Sequence, residues 1–160
     1  MSIQNVLNSA IYTKLTGGTA LTALLSSATA VYYAQAYDHA ALPYVVWSYQ
    51  GGGPTNDYPH DSRDEYLFIR GYSTSAAHAG TIDAAISNLL HRGTLSVTGY
   101  TNWWISRDAD LSLVENAPDG SKVWMAGATY KMAAHPFMIP SAWAAGNRLN
   151  SGALWSALFV

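Results

Sequence analysis

The sequence predicts an α+β domain. Three observations carry this: an amphipathic helical stripe near the N-terminus, a strand–loop–strand–helix unit from Leu42 to Gly93, and a set of strand-like runs folded about a Pro-Asp-Gly turn. At 160 residues the chain is long enough for one domain with a sizeable core.

In the first helix Ile3, Val6, Leu7, Ala10, Ile11 and Leu15 recur at three- and four-residue steps and form one apolar stripe. Ser2 is placed to cap its start, and Gly17-Gly18 ends it. Thr19 to Ser26 reads as a short second helix with Leu21, Leu24 and Leu25 on one side, and Ala30 to Ala36 as a short strand. Tyr44 to Tyr49 is β-branched and aromatic, which favours a strand, and Pro43 stands where a strand tolerates proline. Val45, Val46 and Trp47 make both of its faces apolar, as expected of a central strand or one covered by another subunit. Gly51 to Arg63 reads as a long polar loop, with Gly51-Gly52-Gly53-Pro54 as a turn.

Glu65 to Tyr72 is the next strand. Ser73 or Ser75 caps a helix running to His91, striped by Ala79, Ile82, Ile86, Leu89 and Leu90 and stopped by Gly93. Leu95 to Ile105 and Asp110 to Glu115 read as strands. Ala117-Pro118-Asp119-Gly120 then turns the chain into Ser121 to Met132, a strong hairpin signal. From Ala133 the pattern dissolves, with Pro136 and Pro140 interrupting it. Residues 133–160 read as a C-terminal arm or extension, because Trp143, Leu149, Leu154, Trp155, Leu158 and Phe159 are not the residues of a flexible tail. A final helix packed on its own domain fits that segment equally well.

Apolar residues make up 49% of the chain and charged ones 11%, well below the usual ~25%. So few charges cover a small domain thinly, and six Trp and eleven Tyr must also be placed. Aromatics are enriched at interfaces, so part of this surface is expected to be buried against other chains. Trp47, Trp103, Trp104, Trp124, Trp143 and Trp155 are the candidate interface aromatics. The net charge of −2 and the lack of a Lys/Arg cluster give no electrostatic footprint for nucleic acid. Zero cysteines exclude disulfides and thiolate metal sites. Neither a signal peptide nor a membrane-length apolar run is read in the sequence.

The search for chemistry yields little. His39, His60, His78, His91 and His135 include no His-x-x-x-His pair. His60 with Asp57, Asp61 and Asp64 is the densest cluster, but its spacing does not match a calcium loop, and a solvated polar loop accounts for it. Asp64, Glu65, Asp108, Asp110 and Glu115 could supply a carboxylate pair. With Trp103 and Trp104 nearby, such a pair would make a sugar cleft, the reading of a carbohydrate-binding module or weak hydrolase. Adjacent strand residues face opposite ways, which favours one Trp ring in the core and one at an interface. No Gly-x-Ser-x-Gly occurs, and Gly51-Gly52-Gly53-Pro54 lacks the Lys and helix of a phosphate loop. No catalytic residue, cofactor or metal is expected.

The order of elements then becomes informative. An amphipathic helix and a short Leu-rich segment precede Val31-Tyr32-Tyr33. A connector leads to Leu42-Pro43-Tyr44-Val45-Val46, then a loop, a strand and a helix that carries Ile82, Ile86, Leu89 and Leu90. Over roughly Ile3 to Tyr130 this resembles the tail completion, or tail terminator, proteins of long-tailed bacteriophages. The resemblance implies an antiparallel (mixed) sheet with two main helices packed against it, in a domain over residues 1–132. It implies a ring, typically hexameric, that caps the head-proximal end of the tail tube in the virion, stops tube growth and joins tail to head. Its partners would be other copies of itself, the tail tube protein and a head-completion or neck protein, with DNA passing through the lumen without specific contact. Neutral or acidic walls would suit that lumen. Asp57, Asp61, Arg63, Asp64 and Glu65 mark the candidate partner- or lumen-facing loop, and Asp108 and Asp110 an alternative wall. A head–tail adaptor ring one layer higher is the second reading. The resemblance does not reach the segment after Met132.

Overall fold

The computed structural model describes residues 3–56, 62–97, 100–117 and 119–135. The fold is α+β: one mixed six-stranded sheet with helices on one face. The elements are α1 (Ile3–Thr16), α2 (Thr19–Thr22), β1 (Val31–Tyr33), β2 (Tyr44–Pro54), β3 (Arg63–Ser73), α3 (Ala76–Leu90), β4 (Gly93–Val97), β5 (Tyr100–Asn116) and β6 (Lys122–His135). The strand order is β1-β2-β3-β6-β5-β4, with β1 and β2 parallel and every other pair antiparallel.

The two helical stripes behave as the periodicity requires. Leu7, Ile11 and Leu15 of α1 and Ile82, Ile86 and Leu90 of α3 are fully buried against the sheet. They meet Val45 and Trp47 of β2, Leu67 and Ile69 of β3, Ala128 and Tyr130 of β6, and Ile105 of β5. Each such side chain taken from water contributes roughly 1.5–3 kcal/mol, so this layer is the main source of stability. A smaller cluster lies on the other face of the sheet. There Val46, Tyr72 and Met125 are covered by Tyr32, Tyr44, Leu42 and Leu111. The two apolar faces of β2 are therefore both buried by the chain itself.

Two consecutive residues fasten α3. Gly71 has no side chain, and the Ile82 side chain occupies the space that a Cβ there would need. Asp83 is gripped by Arg107 of β5, with Nη1 to Oδ1 at 2.9 Å and Nη2 to Oδ2 at 2.7 Å. Nη1 of Arg107 also lies 3.4 Å from the Tyr130 hydroxyl, and its Nε donates to Asp110 at 2.6 Å. These carboxylates, Asp83 first, raise the guanidinium pKa further above its ordinary value.

Several boundaries differ from the sequence reading. β1 is only three residues long, because Ala34 takes a positive φ of 63° and turns the chain. α2 covers only Thr19–Thr22 and passes into turns. At the start of α3, Ser75 occupies the cap position without a side-chain cap bond. Ser73 Oγ instead lies 3.1 Å from His78 Nδ1 and accepts from the Ser75 N–H at 3.4 Å. The helix stops one residue earlier than its glycine signal, since Arg92 takes the left-handed turn (φ 57°) and Gly93 already belongs to β4.

The glycine run is not a turn. Gly51, Gly52, Gly53 and Pro54 continue β2 and pair with Tyr66, Glu65, Asp64 and Arg63. Gly51 and Gly52 have φ of 156° and 129°, and a Cβ on Gly52 would strike the backbone of Asp64 and Glu65. Only glycine permits that pairing, so the run serves a close strand approach after a bulge at Tyr49/Gly51.

The Leu95 to Ile105 strand is in fact two antiparallel strands, with Gly93 opposite Ile105 and Val97 opposite Tyr100. β5 then runs through Ser106–Ala109 without a break, because a bulge at Arg107/Ala109 absorbs the polar interruption. The turn stands as read over its described residues, Ala117 and Asp119–Ser121. Gly120 N–H donates to the Ala117 carbonyl at 2.8 Å, and Asp119 Oδ1 accepts from Ser121 N–H at 2.9 Å and Oγ at 2.7 Å. Those bonds hold the Asp119 carboxyl below its usual pKa. β6 runs on to His135, with Ala133 and Ala134 paired to Asp64 and Arg63, although these small residues show no alternation.

A methyl group at position 71 tests the seat of α3. Gly71→Ala is expected to cost about 1–3 kcal/mol through overpacking against Ile82. Urea titration of the variant checks this, with an unchanged midpoint as the contrary result.

Candidate functional site

In the stretch read as a partner- or lumen-facing loop, the described residues Arg63, Asp64 and Glu65 are paired. Asp57 and Asp61 lie outside the described residues. Arg63 Nε donates to Glu65 Oε1 at 2.6 Å, and Gln4 Nε2 of α1 lies 3.4 Å from the same oxygen. Glu65 is only 2% exposed, facing α1 rather than solvent, so it cannot serve as an outward-facing wall. Gln4 stands 61 residues away in sequence, a distance no local reading bridges. Asp64 Oδ2 lies 3.0 Å from Lys131 Nζ, and that bond raises the Lys131 pKa. The Lys131 ammonium also stands 5.9 Å from the Tyr66 ring centroid. Two acids matched by two bases leave this end of β3 close to neutral.

The aromatic candidates divide. Trp47 is 1% exposed and packs in its own subunit, with its ring 4.7 Å from that of Tyr33 and 5.9 Å from that of Tyr49. It has no surface left for a neighbour. Trp104 is 45% exposed on β5, opposite Thr94 of β4, and Trp124 is half-buried on β6, opposite Val114. Trp103 stands opposite Leu95 in the β4–β5 pair. Trp143 and Trp155 lie outside the described residues.

The β5 edge is an exposed apolar feature that the sequence reading does not single out. β5 and β6 form a long hairpin, and β4 covers β5 only over Tyr100–Ile105. From Ser106 to Asn116 the other edge of β5 pairs with no strand among the described residues. Leu113 (51% exposed) and Val114 (49%) stand there on opposite faces, with the exposed Glu115 beside them. Asp110 of this edge is tied to Arg107, while Asp108 is exposed. The signal was present in Leu111, Leu113 and Val114, apolar residues beside a polar turn, but it was read simply as strand.

Beyond the helix layer, Arg70 lies over the rings of Phe68 and Tyr72, at 4.9 Å and 5.9 Å from their centroids. Tyr44 stacks 5.1 Å from Tyr72 and 5.8 Å from Tyr32. This face is held by aromatic contacts with little charge. Among the described residues no group of three His, Cys, Asp or Glu could hold a metal ion, and no helix is long and apolar enough to cross a membrane.

Burial raises the phenol pKa values of Tyr44, Tyr49, Tyr72 and Tyr130 above their ordinary value, and Glu65 adds to the effect at Tyr49. Below about pH 10 these phenols are protonated in both folded and unfolded chains and give stability no pH dependence. Above it the folded state keeps protons that the unfolded chain releases, so stability falls as pH rises. Urea midpoints taken across this range should decline. Tyr49→Phe, which removes a buried hydroxyl without a partner among the described residues, should flatten the decline.

Comparison with known proteins agrees with this architecture. The chain matches the family described as tail completion protein gp17 over residues 9–124. A chain from the virion of a native gene transfer agent particle has the same fold, with a TM-score of 0.59 and 20% sequence identity, over 83% of this chain and 98% of that one. No curated protein sequence matches. With the family match running from the middle of α1 to the start of β6, this chain belongs to the tail completion protein gp17 family.

Proposed function

We propose that this protein forms a ring, hexameric in the simplest case, that caps the head-proximal end of a phage tail tube, stops its growth and joins tail to head. The observation that carries this reading is the free β5 edge. A strand edge that pairs with no other strand among the described residues, with exposed Leu113 and Val114, is a ready site for pairing with another chain. Family membership supplies the setting, a structural protein of the tail.

A ring needs head-to-tail contacts between two different surfaces of the same chain. The hairpin edge supplies one. The β2 edge beyond Trp47, which β1 leaves uncovered from Ser48 onward, is the natural complement, with Ser48, Tyr49 and Gln50 at its start. Pairing of this kind gains affinity from backbone hydrogen bonds and specificity from alternate side chains. It requires no catalytic group, which fits a non-enzymatic part. The tail tube protein and a head-completion or neck protein would bind the two rims, and DNA would pass through a lumen that offers no basic patch to grip phosphate.

Sedimentation and negative-stain electron microscopy, of the protein alone and with polymerising tail tube protein, test this. Rings and shortened tubes are expected; monomers under both conditions with tubes of unchanged length would refute the capping role. Leu113→Asp should abolish rings while leaving thermal stability within about 0.5 kcal/mol of the parent, since the position is exposed. Intact rings from that variant would remove the β5 edge from the interface.

A further inference from the structure

Half of the apolar stripe of α1 is only partly covered. Leu7, Ile11 and Leu15 are fully buried, whereas Ile3, Val6 and Ala10 are only partly covered and line an open groove of about 970 Å³. Its other walls are Leu89 of α3 and Leu95 of β4. Among the described residues β4 is the edge strand of the sheet.

The chain leaves the described structure at the end of the sheet where the β4–β5 hairpin closes and α1 begins. β6 ends at His135, opposite Thr101 of β5, next to the Val97–Tyr100 pair that closes the β4–β5 hairpin. The N-terminus of α1 lies at the same end of the sheet. Gln4 reaches Glu65, and Glu65 pairs with Met132, three residues before His135. The opposite end of the groove is Gly17, beside the C-terminal end of α3. Residues 136–160 follow, and at ~3.3 Å per extended residue they reach several times the length of α1, which at ~1.5 Å per residue is near 21 Å.

The sequence of that segment suits an apolar groove. Leu154, Trp155, Leu158 and Phe159 fall at the spacing of one helix face, and Arg148 is the only Asp, Glu, Lys or Arg side chain from 136 to 160. An apolar helix face laid into a groove is a common recognition mode, and tethering at that end of the sheet gives an effective concentration of order millimolar. We infer that residues 136–160 of the same chain occupy the α1–β4 groove and complete the core beside α1. Neither the family match, which ends at residue 124, nor the ring proposal requires this contact.

The absence of cysteine makes the test clean. In the full-length chain, Thr94→Cys on the exposed rim of β4 carries a nitroxide, and Asn5→Cys on α1 provides a second, independent position. The readout is the indole N–H signals of Trp143 and Trp155, assigned by replacement with Phe. Loss of both signals in a uniformly labelled sample is expected. They should be retained when nitroxide-bearing, isotopically silent chains are mixed with unmodified, isotope-labelled ones. Ala10→Asp, which places a carboxylate in the groove, should restore the signals in the uniform sample. Retained signals from both label sites would overturn the inference, as would loss that survives Ala10→Asp. Loss in the mixed sample would assign the groove to a neighbour's segment, which also overturns it. Ring formation is read separately, so the two proposals fail independently.

Discussion

The fold depends on one turn of α3. Ile82 enters the space that Gly71 leaves open on β3, and Asp83, the next residue, is held by both terminal nitrogens of Arg107 on β5. One contact fixes how closely the helix approaches the sheet, and the other fixes its rotation and register. They act on different strands, with β6 between them, so α3 bridges the sheet centre and ties the long hairpin to the core. An exposed ion pair would add little, but this one is partly buried, each oxygen has its own donor and Tyr130 shares the cation. Once α3 is set, Leu89 and Leu90 fix the position of α1, and α1 with β4 defines the groove.

That arrangement explains the spare use of charge. The described acids facing a partner base do so in close pairs: Arg63 with Glu65, Lys131 with Asp64, Arg107 with Asp83 and Asp110. These bases are used inside the subunit to tie strands and helix together. Apolar surface also stays outward: Leu113 and Val114 on the hairpin edge, beside the exposed Asp108 and Glu115, together with Trp104 and the tyrosines near β1. A structural protein of a phage tail must expose such surface before assembly and cover it afterwards, and low charge lowers the desolvation cost of covering it.

The sequence made the helices legible because a 3.6-residue stripe needs no knowledge of its partner: the buried residues of α1 and α3 are those the spacing selects. The Pro-Asp-Gly turn was legible for the same local reason. Other features depend on residues far apart in the chain. Gly51–Pro54 resembles a turn until Arg63–Tyr66 lies beside it, and only then does the missing side chain of Gly52 become a pairing requirement. Glu65 reads as a surface acid until Arg63 and Gln4 enclose it. Trp47 reads as an interface residue because both faces of β2 are apolar. Its strand instead sends Val45 and Trp47 to the helices and Val46 to the opposite cluster, so the chain satisfies both faces itself. A central strand and an intersubunit strand have the same composition, and only the topology separates them.

The brevity of β4 links the assembly surface to the groove. It has five residues against seventeen in β5, so it covers one end of the long strand and leaves the rest free. At ~3.3 Å per residue, β5 extends over roughly 55 Å, placing the Leu113–Val114 edge and the α1–β4 groove far apart along one margin of the sheet. A longer β4 would bury the edge that a neighbour could pair with, and a shorter one would remove a wall of the groove. The two surfaces can therefore be filled independently, the groove by residues 136–160 of the same chain and the edge by another subunit. Filling the groove stiffens the margin at one end while leaving its other end open, so folding of the subunit need not compete with assembly for the same apolar surface.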